Sequence, residues 1–370
     1  MQFTINKETF LEGLNKVIKV ISSKHSIPIL QGILIEVTMD MLVVTGSDAT
    51  ETVRYAIPVD DKNLTVLSEG KAVLPRNLVE IVKKFKKEIQ VSTDGPNCQI
   101  ISGKSDFVII TLDAEEYPKF NNFHLNNTPT VTYSGNEFRD LIRKTAFSAS
   151  TSEVRPLLTG VCVEVSGGYC SLVCTDSHRL SRVSKPTKSD KDFKLVIPAK
   201  SLDNASRVFS DEDVELYHNQ QQVLLKNGNT LYLSRLLEGN YPDTSRLVPT
   251  EHQNKLTIMR QDLYDGLDAL KSLSLSADDN KGGIVKLHIN GAAHLSTNQS
   301  QKGKGKIEVP YNAYEGEEDF TISFNVKYLQ DALKSIDKDE VDLCFSGQMR
   351  PFVVVPDEEE LQLILPVRTA

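Results

Sequence analysis

Asp176-Ser177-His178-Arg179 places an acid, a hydroxyl and an imidazole side by side, the residue types of a nucleophilic triad. A triad needs side chains that converge in space, and neighbours along a strand point to opposite faces. No Gly-x-Ser-x-Gly turn accompanies the segment. Lys302-Gly303-Lys304-Gly305-Lys306 lacks the spacing of a phosphate-binding loop, and no Ser or Thr follows its last lysine. It reads as a basic hairpin tip. The 7 histidines show no HxxxH or HExxH spacing. Cys98, Cys162, Cys170, Cys174 and Cys344 are odd in number and contain no CxxC pair, so they read as buried, reduced thiols. Glu317-Glu318-Asp319 and Glu358-Glu359-Glu360 read as solvated turns. Nothing in this set asks for an enzyme, a metal or a cofactor.

The chain that must position these residues has 370 of them, which at roughly 100–200 per domain gives two or three domains. Hydrophobic residues at 39% and charged residues at 25% are ordinary for a globular protein and exclude a disordered or fibrous one. No apolar run approaches the ~18 residues of a membrane helix. Met1-Gln2-Phe3-Thr4-Ile5-Asn6 lacks the basic and apolar regions of a signal peptide, so a cytoplasmic location is expected. The net charge of -8 argues against nucleic acid wrapped over most of the surface, but leaves room for a local basic face. The absence of Trp weakens a single-strand stacking platform.

The chain repeats itself. Phe3-Thr4-Ile5 leads into Phe10-Leu11-Glu12-Gly13-Leu14, Val131-Thr132-Tyr133 into Phe138-Arg139-Asp140-Leu141-Ile142, and Leu256-Thr257-Ile258 into Leu263-Tyr264-Asp265-Gly266-Leu267. Each reads as a strand followed by an amphipathic helix. Phe10, Phe138 and Leu263 lie 128 and 125 residues apart. Second helices open near Val73-Leu74-Pro75, Val196-Ile197-Pro198 and Ser323-Phe324-Asn325, with proline at the start of the first two and Asn325 as a cap in the third. Ser47-Asp48 echoes Thr175-Asp176 and, more weakly, Thr297-Asn298; Glu116-Tyr117-Pro118 echoes Asn240-Tyr241-Pro242. Alternating runs such as Leu42-Val43-Val44-Thr45 and Phe107–Leu112, separated by Asp94-Gly95-Pro96-Asn97 or Lys226-Asn227-Gly228-Asn229, predict antiparallel hairpins. The expectation is an α+β protein of three like domains, at 1–125, 126–250 and 251–370, each with two helices and antiparallel strands.

Charge is unevenly shared. The predicted helical spans 6–20, 76–88, 136–147, 199–209, 260–274 and 325–336 together carry +6, leaving -14 for the rest. Any one such helix is most simply a solvated face. The set predicts a helix-lined surface that faces a polyanion through phosphate contacts without sequence preference. Lys83, Lys84, Lys86 and Lys87 form the densest cluster; Arg139, Arg143, Lys200 and Arg207 join them on charge alone.

Several longer segments carry a family resemblance: Thr175-Asp176-Ser177-His178-Arg179-Leu180, Arg235-Leu236-Leu237-Glu238-Gly239-Asn240-Tyr241-Pro242-Asp243, Leu363-Ile364-Leu365-Pro366-Val367-Arg368, and Ser26-Ile27-Pro28-Ile29-Leu30. Over essentially the whole chain the sequence resembles the bacterial β sliding clamps, processivity subunits of DNA polymerase III. The resemblance implies a DNA clamp fold: a head-to-tail homodimer closed into a ring, sheets outside and helices inside, with double-stranded DNA passing through. It implies a scaffold without catalysis or cofactor. The partners implied are the replicative polymerase, the clamp loader and other proteins carrying a clamp-binding peptide, with no membrane, in the cytoplasm and on the nucleoid during replication.

By the same resemblance, the partner-peptide groove is built from Leu158, Thr175, His178, Arg179, Leu180, Pro242, Arg246, Leu247, Leu363, Leu365, Pro366, Val367 and Arg368, with Tyr328 and Met349 beside it. Aliphatic side chains there would seat a Leu or Phe anchor, while Arg and His at the rim would fix polar ends. Lys24 matches a basic inner position, and Phe107, Leu273 and Leu275 match the seam between subunits. Family members often carry Gly where this chain has Ser177, and the match is weakest between about Ala277 and Tyr314. Two other readings stand beside the clamp: a repeat-built peptide-binding adaptor that never encloses DNA, and a hydrolase working through Asp176 and His178.

Overall fold

The computed structural model describes residues 1–60, 62–119, 129–189, 191–274, 283–297 and 303–368. Their six helices are α1 (Lys7–Val17), α2 (Leu78–Lys84), α3 (Gly135–Thr145), α4 (Ala199–Val208), α5 (Arg260–Ser274) and α6 (Val326–Ser335). Capping residues fix where several begin. Asn6 Oδ1 accepts from the backbone N–H of Glu8 (2.9 Å) and Thr9 (3.3 Å) ahead of α1, and Asn325 Oδ1 from that of Lys327 (2.9 Å) at α6. Ser134 and Glu137 form a reciprocal capping box at α3. Phe10, Phe138 and Leu263, the landmarks of the repeat, are all buried.

Packing divides the chain into two compact units, Met1–Arg139 with Ser201–Leu236, and Asp140–Lys200 with Leu237–Ala370. The first holds a five-stranded antiparallel sheet in the order Leu64–Ser68, Gln2–Ile5, Ile89–Asp94, Asn97–Ser102, Ser105–Ile110. It also holds an eight-stranded sheet: Val131–Tyr133, Val214–His218, Gln222–Asn227, Thr230–Arg235, Glu51–Pro58, Met41–Ser47, Gly32–Val37, Gly70–Pro75. The second unit holds a nine-stranded sheet: Phe193–Pro198, Gly160–Ser166, Tyr169–Thr175, Arg179–Pro186, Glu360–Ile364, Phe352–Val355, Glu340–Phe345, Asn254–Met259, Ala313–Glu315. Its four-stranded sheet runs Lys306–Val309, Ala293–Thr297, Ile284–Ile289, Phe320–Asn325.

Each large sheet therefore joins two repeats edge to edge. Thr52 pairs with Leu233 across one join, and Leu180 with Leu363 across the other. Such joins satisfy strand edges that would otherwise invite aggregation. The predicted hairpins at Gly95 and Gly228 are present, with φ of 54° and 52° where only glycine turns without strain.

Four expectations are corrected. Helix α2 stops at Lys84 because the backbone turns extended at Phe85 (φ -71°, ψ 154°), whose ring is buried, so Lys86 and Lys87 follow the helix rather than belong to it. Over the observed bounds the helices carry 0 on α1, -1 on α5 and +1 on each of the other four, a net +3 rather than +6. Pro75 and Pro198 end strands instead of starting helices. Glu360 is not in a solvated turn: it opens a buried strand and pairs with Lys144 Nζ at 3.3 Å. The described part of Lys302–Lys306 leads into the edge strand Lys306–Val309.

All five cysteines are free and buried, and burial pushes the Cys98 and Cys162 thiols up to about 11. Among the described residues no group of three or more His, Cys, Asp or Glu is placed to hold a metal ion, and no helix is long and apolar enough to cross a membrane.

Candidate functional site

The Asp176–Arg179 segment is the tight connection between the strands Tyr169–Thr175 and Arg179–Pro186. Asp176 Oδ1 accepts from the backbone N–H of His178 (2.8 Å) and Arg179 (3.0 Å), and Thr175 Oγ1 donates to the Arg179 carbonyl at 2.6 Å. Ser177 sits at φ 78°, in the left-handed region where glycine is at ease, so serine there costs some strain. Asp176, Ser177 and His178 each turn to a different partner. Asp176 Oδ2 holds Arg179 Nε (3.1 Å), Ser177 Oγ accepts from Arg155 (3.1 Å), and His178 stacks on Tyr328 with ring centroids 6.3 Å apart. The hydrolase reading has no geometry to support it.

Beside this turn lies a groove of about 670 Å³. Of the residues the sequence nominated, it is lined by Leu158, Thr175, Arg179, Leu180, Pro242, Leu247, Leu363 and Leu365. Leu158, Leu180 and Leu363 form its buried floor, while Leu247 and Leu365 project from its edges at 49% and 36% exposure. The Tyr241 hydroxyl accepts from Thr175 N–H at 3.0 Å and ties the Tyr241-Pro242 wall to the floor; burial drives that phenol well above its ordinary range. Leu365 N–H donates to the His178 carbonyl (2.9 Å), which extends the pairing beyond Ile364 and positions the last wall.

Arg179 is not a free rim cation. Its guanidinium is buried, donating to Asp176, to Asp331 (2.8 Å) and to the Phe147 carbonyl (2.6 Å), and lying 4.7 Å from the centre of the Tyr328 ring. It holds the turn against α6. His178, Arg246, Tyr328, Met349, Pro366, Val367 and Arg368 lie outside the lining of the groove. Val367 N–H donates to Ser323 O (2.7 Å), Pro366 bridges Phe324, and His178, Arg246, Met349 and Arg368 are exposed. The sequence reading missed Arg155, Pro156, Leu157, Ser177, Glu238, Thr244 and Pro351, which complete the wall. Pro156-Leu157-Leu158 offered a signal, since it repeats Pro28-Ile29-Leu30.

The nominated basic residues divide into two kinds. Lys24, Lys84, Lys86, Lys87 and Lys200 are exposed and make no ion pair among the described residues. The rest have partners: Lys83 pairs with Glu80 at 2.8 Å and Arg207 with Asp203 at 2.8 Å. Arg139 donates to the carbonyls of Phe209 (3.2 Å) and Ser210 (3.1 Å) just past α4, and to Asp211. Arg143 does the same to Ser335 O (2.6 Å) at the end of α6 and pairs with Asp140 and Asp337. Cations on helix C-terminal carbonyls satisfy orphan acceptors and suit the helix dipole. Arg139 and Arg143 thus staple helices together. We expect Arg143→Ala to lower the melting temperature, readable by thermal denaturation.

Of the nominated seam residues, Phe107 lies on the edge strand Ser105–Ile110, against Phe85 at 5.6 Å between ring centres. Leu273 lies on α5 close behind Gly305, where an added Cβ would come within 3.1 Å of it. Leu275 is outside the described residues.

Family comparison fits this geometry. Residues 1–121, 132–243 and 245–368 match the N-terminal, central and C-terminal domains of the DNA polymerase III beta subunit. The beta sliding clamp of Staphylococcus epidermidis is 38% identical over 381 residues, and that of Staphylococcus aureus 38% over 382, each alignment covering 100% of both chains. The crystal structure of the Bacillus subtilis DNA polymerase sliding clamp superposes with a TM-score of 0.94 at 35% identity, covering 100% of both chains. A Pseudomonas aeruginosa sliding clamp solved with bound griselimycin superposes at 0.89 with 25% identity and the same coverage. With every third of its length matched and its fold reproduced from end to end, the chain belongs to the bacterial β sliding-clamp family, the beta subunits of DNA polymerase III.

Proposed function

We propose that two copies of this chain close head to tail into a ring around duplex DNA, and that the ring tethers the replicative polymerase and other replication and repair proteins through the apolar groove. One observation carries the ring. In the two internal joins, the strand Glu51–Pro58 or Arg179–Pro186 of one repeat pairs with the strand Thr230–Arg235 or Glu360–Ile364 of the next. The repeat order makes Lys306–Val309 the third strand of the first kind and Ser105–Ile110 the remaining strand of the second kind. Both end their sheets among the described residues. Val108 and Ile110 on the latter are 65% and 72% exposed and Phe107 41% exposed, an apolar edge that a monomer would not leave open. Pairing these two free edges between chains repeats the internal join, and two such seams close a ring.

In this reading the chain has three clamp domains, at 1–125, 126–250 and 251–370, and acts without chemistry. DNA is held by topology and by weak phosphate contacts, so the ring slides. Opening and loading fall to an ATP-using clamp loader that docks on the same groove, in the cytoplasm and at the nucleoid. Family membership leaves the adaptor that never encloses DNA without support. Phe107→Asp places an unpaired charge in each seam and is expected to turn the dimer into a folded monomer, as read by sedimentation velocity. A wild-type protein that sediments as a monomer at micromolar concentration contradicts the ring.

The free lysines supply the phosphate contacts. Changing Lys24, Lys84 and Lys86 to Ser is expected to flatten the slope of log K against log salt, by about 0.9 for each phosphate that is no longer neutralised. An unchanged slope would remove all three from the DNA path.

A further inference from the structure

The turn beneath the apolar groove has a twin in the first unit. Asp48 Oδ1 accepts from the backbone N–H of Thr50 (3.0 Å) and Glu51 (2.9 Å), as Asp176 does from His178 and Arg179. Ala49 takes φ 70° where Ser177 takes 78°. A cavity of about 460 Å³ lies beside this turn as well. Strand pairing fixes the correspondence of the two walls: Thr52 opposite Leu233 stands where Leu180 stands opposite Leu363, and Arg235 stands where Leu365 does. Pro118 follows Tyr117 as Pro242 follows Tyr241.

The frame is shared but the chemistry is inverted. Thr52 and Arg235 replace two leucines of the apolar groove. The lining carries the cations Arg54, Lys71, Lys119 and Arg235 against the carboxylates Glu36 and Glu115. Arg54 pairs with Glu36 (3.1 Å) and Lys71 with Glu115 (2.7 Å), whereas Lys119 and Arg235 are exposed with no ion pair among the described residues. Thr45, 3% exposed, lines the same cavity, and its buried Oγ1 has no hydrogen-bond partner among the described residues. A buried hydroxyl is rarely left unpaired unless something else meets it. The one aromatic residue among the described lining, Tyr117, is 4% exposed, so nucleic-acid bases have no ring to stack on.

We propose that this second cavity is a docking site for a short acidic peptide segment of a partner protein, with a carboxylate held by Lys119 and Arg235 and a polar group of the peptide meeting Thr45. The choice of a peptide rests on the peptide reading of the apolar twin. The site would give a partner a second, charge-selective foothold on the same subunit, and two linked footholds raise avidity without strengthening either one.

The test is fluorescence anisotropy on the full chain with two labelled probes, an acetylated hexapeptide of Glu, Asp and Gly, and a separate apolar clamp-binding peptide. Saturable binding of the acidic probe is expected, weakened tenfold or more by Lys119→Glu with Arg235→Glu. It should be unmoved by Lys84→Glu with Lys86→Glu and by an excess of the apolar peptide. Both pairs of substitutions are at exposed positions, so the fold is preserved. Absence of saturable binding, equal binding by the Lys119/Arg235 variant, loss of binding in the Lys84/Lys86 variant, or displacement by an oligonucleotide of equal charge more readily than by unlabelled acidic peptide would each overturn the proposal. The apolar probe reports the other groove separately, so failure of that reading is seen by itself.

Discussion

Leu247→Ala combined with Leu365→Ala is expected to weaken clamp-binding peptides roughly 100- to 1,000-fold and to leave the protein folded. Both side chains project from the edges of the groove, exposed at 49% and 36%, so they carry little of the core. A bound peptide would cover what solvent now touches. Each truncation removes packing worth about 2 kcal/mol at roughly 0.8 kcal/mol per buried methylene, and every 1.4 kcal/mol is about tenfold in affinity. The double variant is a cleaner test than cutting the chain at residue 364. Ile364 is 1% exposed and packs in the core of the second unit, so its removal would mix unfolding with weakened binding. Anisotropy with a labelled peptide reads the result; a change below about threefold, under 1 kcal/mol, would separate these leucines from the docking surface.

Arg179→Ala is expected to be the most damaging single substitution around the groove, through stability rather than through contact with a partner. Its guanidinium is held between Asp176, Asp331 and the Phe147 carbonyl, with the Tyr328 and Phe147 rings over its faces. Removing one partner of a buried ion pair typically costs about 3–5 kcal/mol because the other charge stays buried. Lys327 Nζ remains 2.7 Å from Asp331 and compensates in part, which places the destabilisation near about 3 kcal/mol. For a unit of this size that corresponds to a fall in Tm of roughly 6–12 °C. Arg179→Lys keeps the charge but gives up the fork and is expected to recover only part of the difference. A melting temperature within about 2 °C of wild type would show that the network is not structural.

The threefold plan was legible because it rests on local patterns. Phe10, Phe138 and Leu263 recur with their strands, and each proves to be a core residue in the first turn of its helix. The apolar floor of the groove was legible through the family segments. What was not legible depends on distant pairing. Nothing local in Arg179–Pro186 says that its neighbour is Glu360–Ile364, and without that join neither the groove nor the free edges can be placed. Charge misled for the same reason. Arg139 and Arg143 read as basic helix residues, yet they reach carbonyls 70 and 192 positions away, respectively, and cap helix ends. The run Lys83-Lys84-Phe85-Lys86-Lys87 read as continuous helix, but the chain turns at Phe85 to bury that ring and to deliver Ile89 to its strand. The polar twin of the groove was invisible to motif reading, since only the pairing register shows that Thr52 and Arg235 occupy the places of two leucines.

Enclosure of DNA can be tested directly by changing the topology of the duplex. The protein is placed on a nicked circular plasmid by a clamp loader with ATP, the loader is removed, and the clamp bound to DNA is followed by gel filtration before and after a single restriction cut. A clamp that encloses the duplex stays on the circle through a rise in salt that abolishes phosphate binding, and leaves once the DNA has ends to slide from. Equal retention on circular and linear DNA, or release from both with rising salt, would mean that it binds the duplex without encircling it.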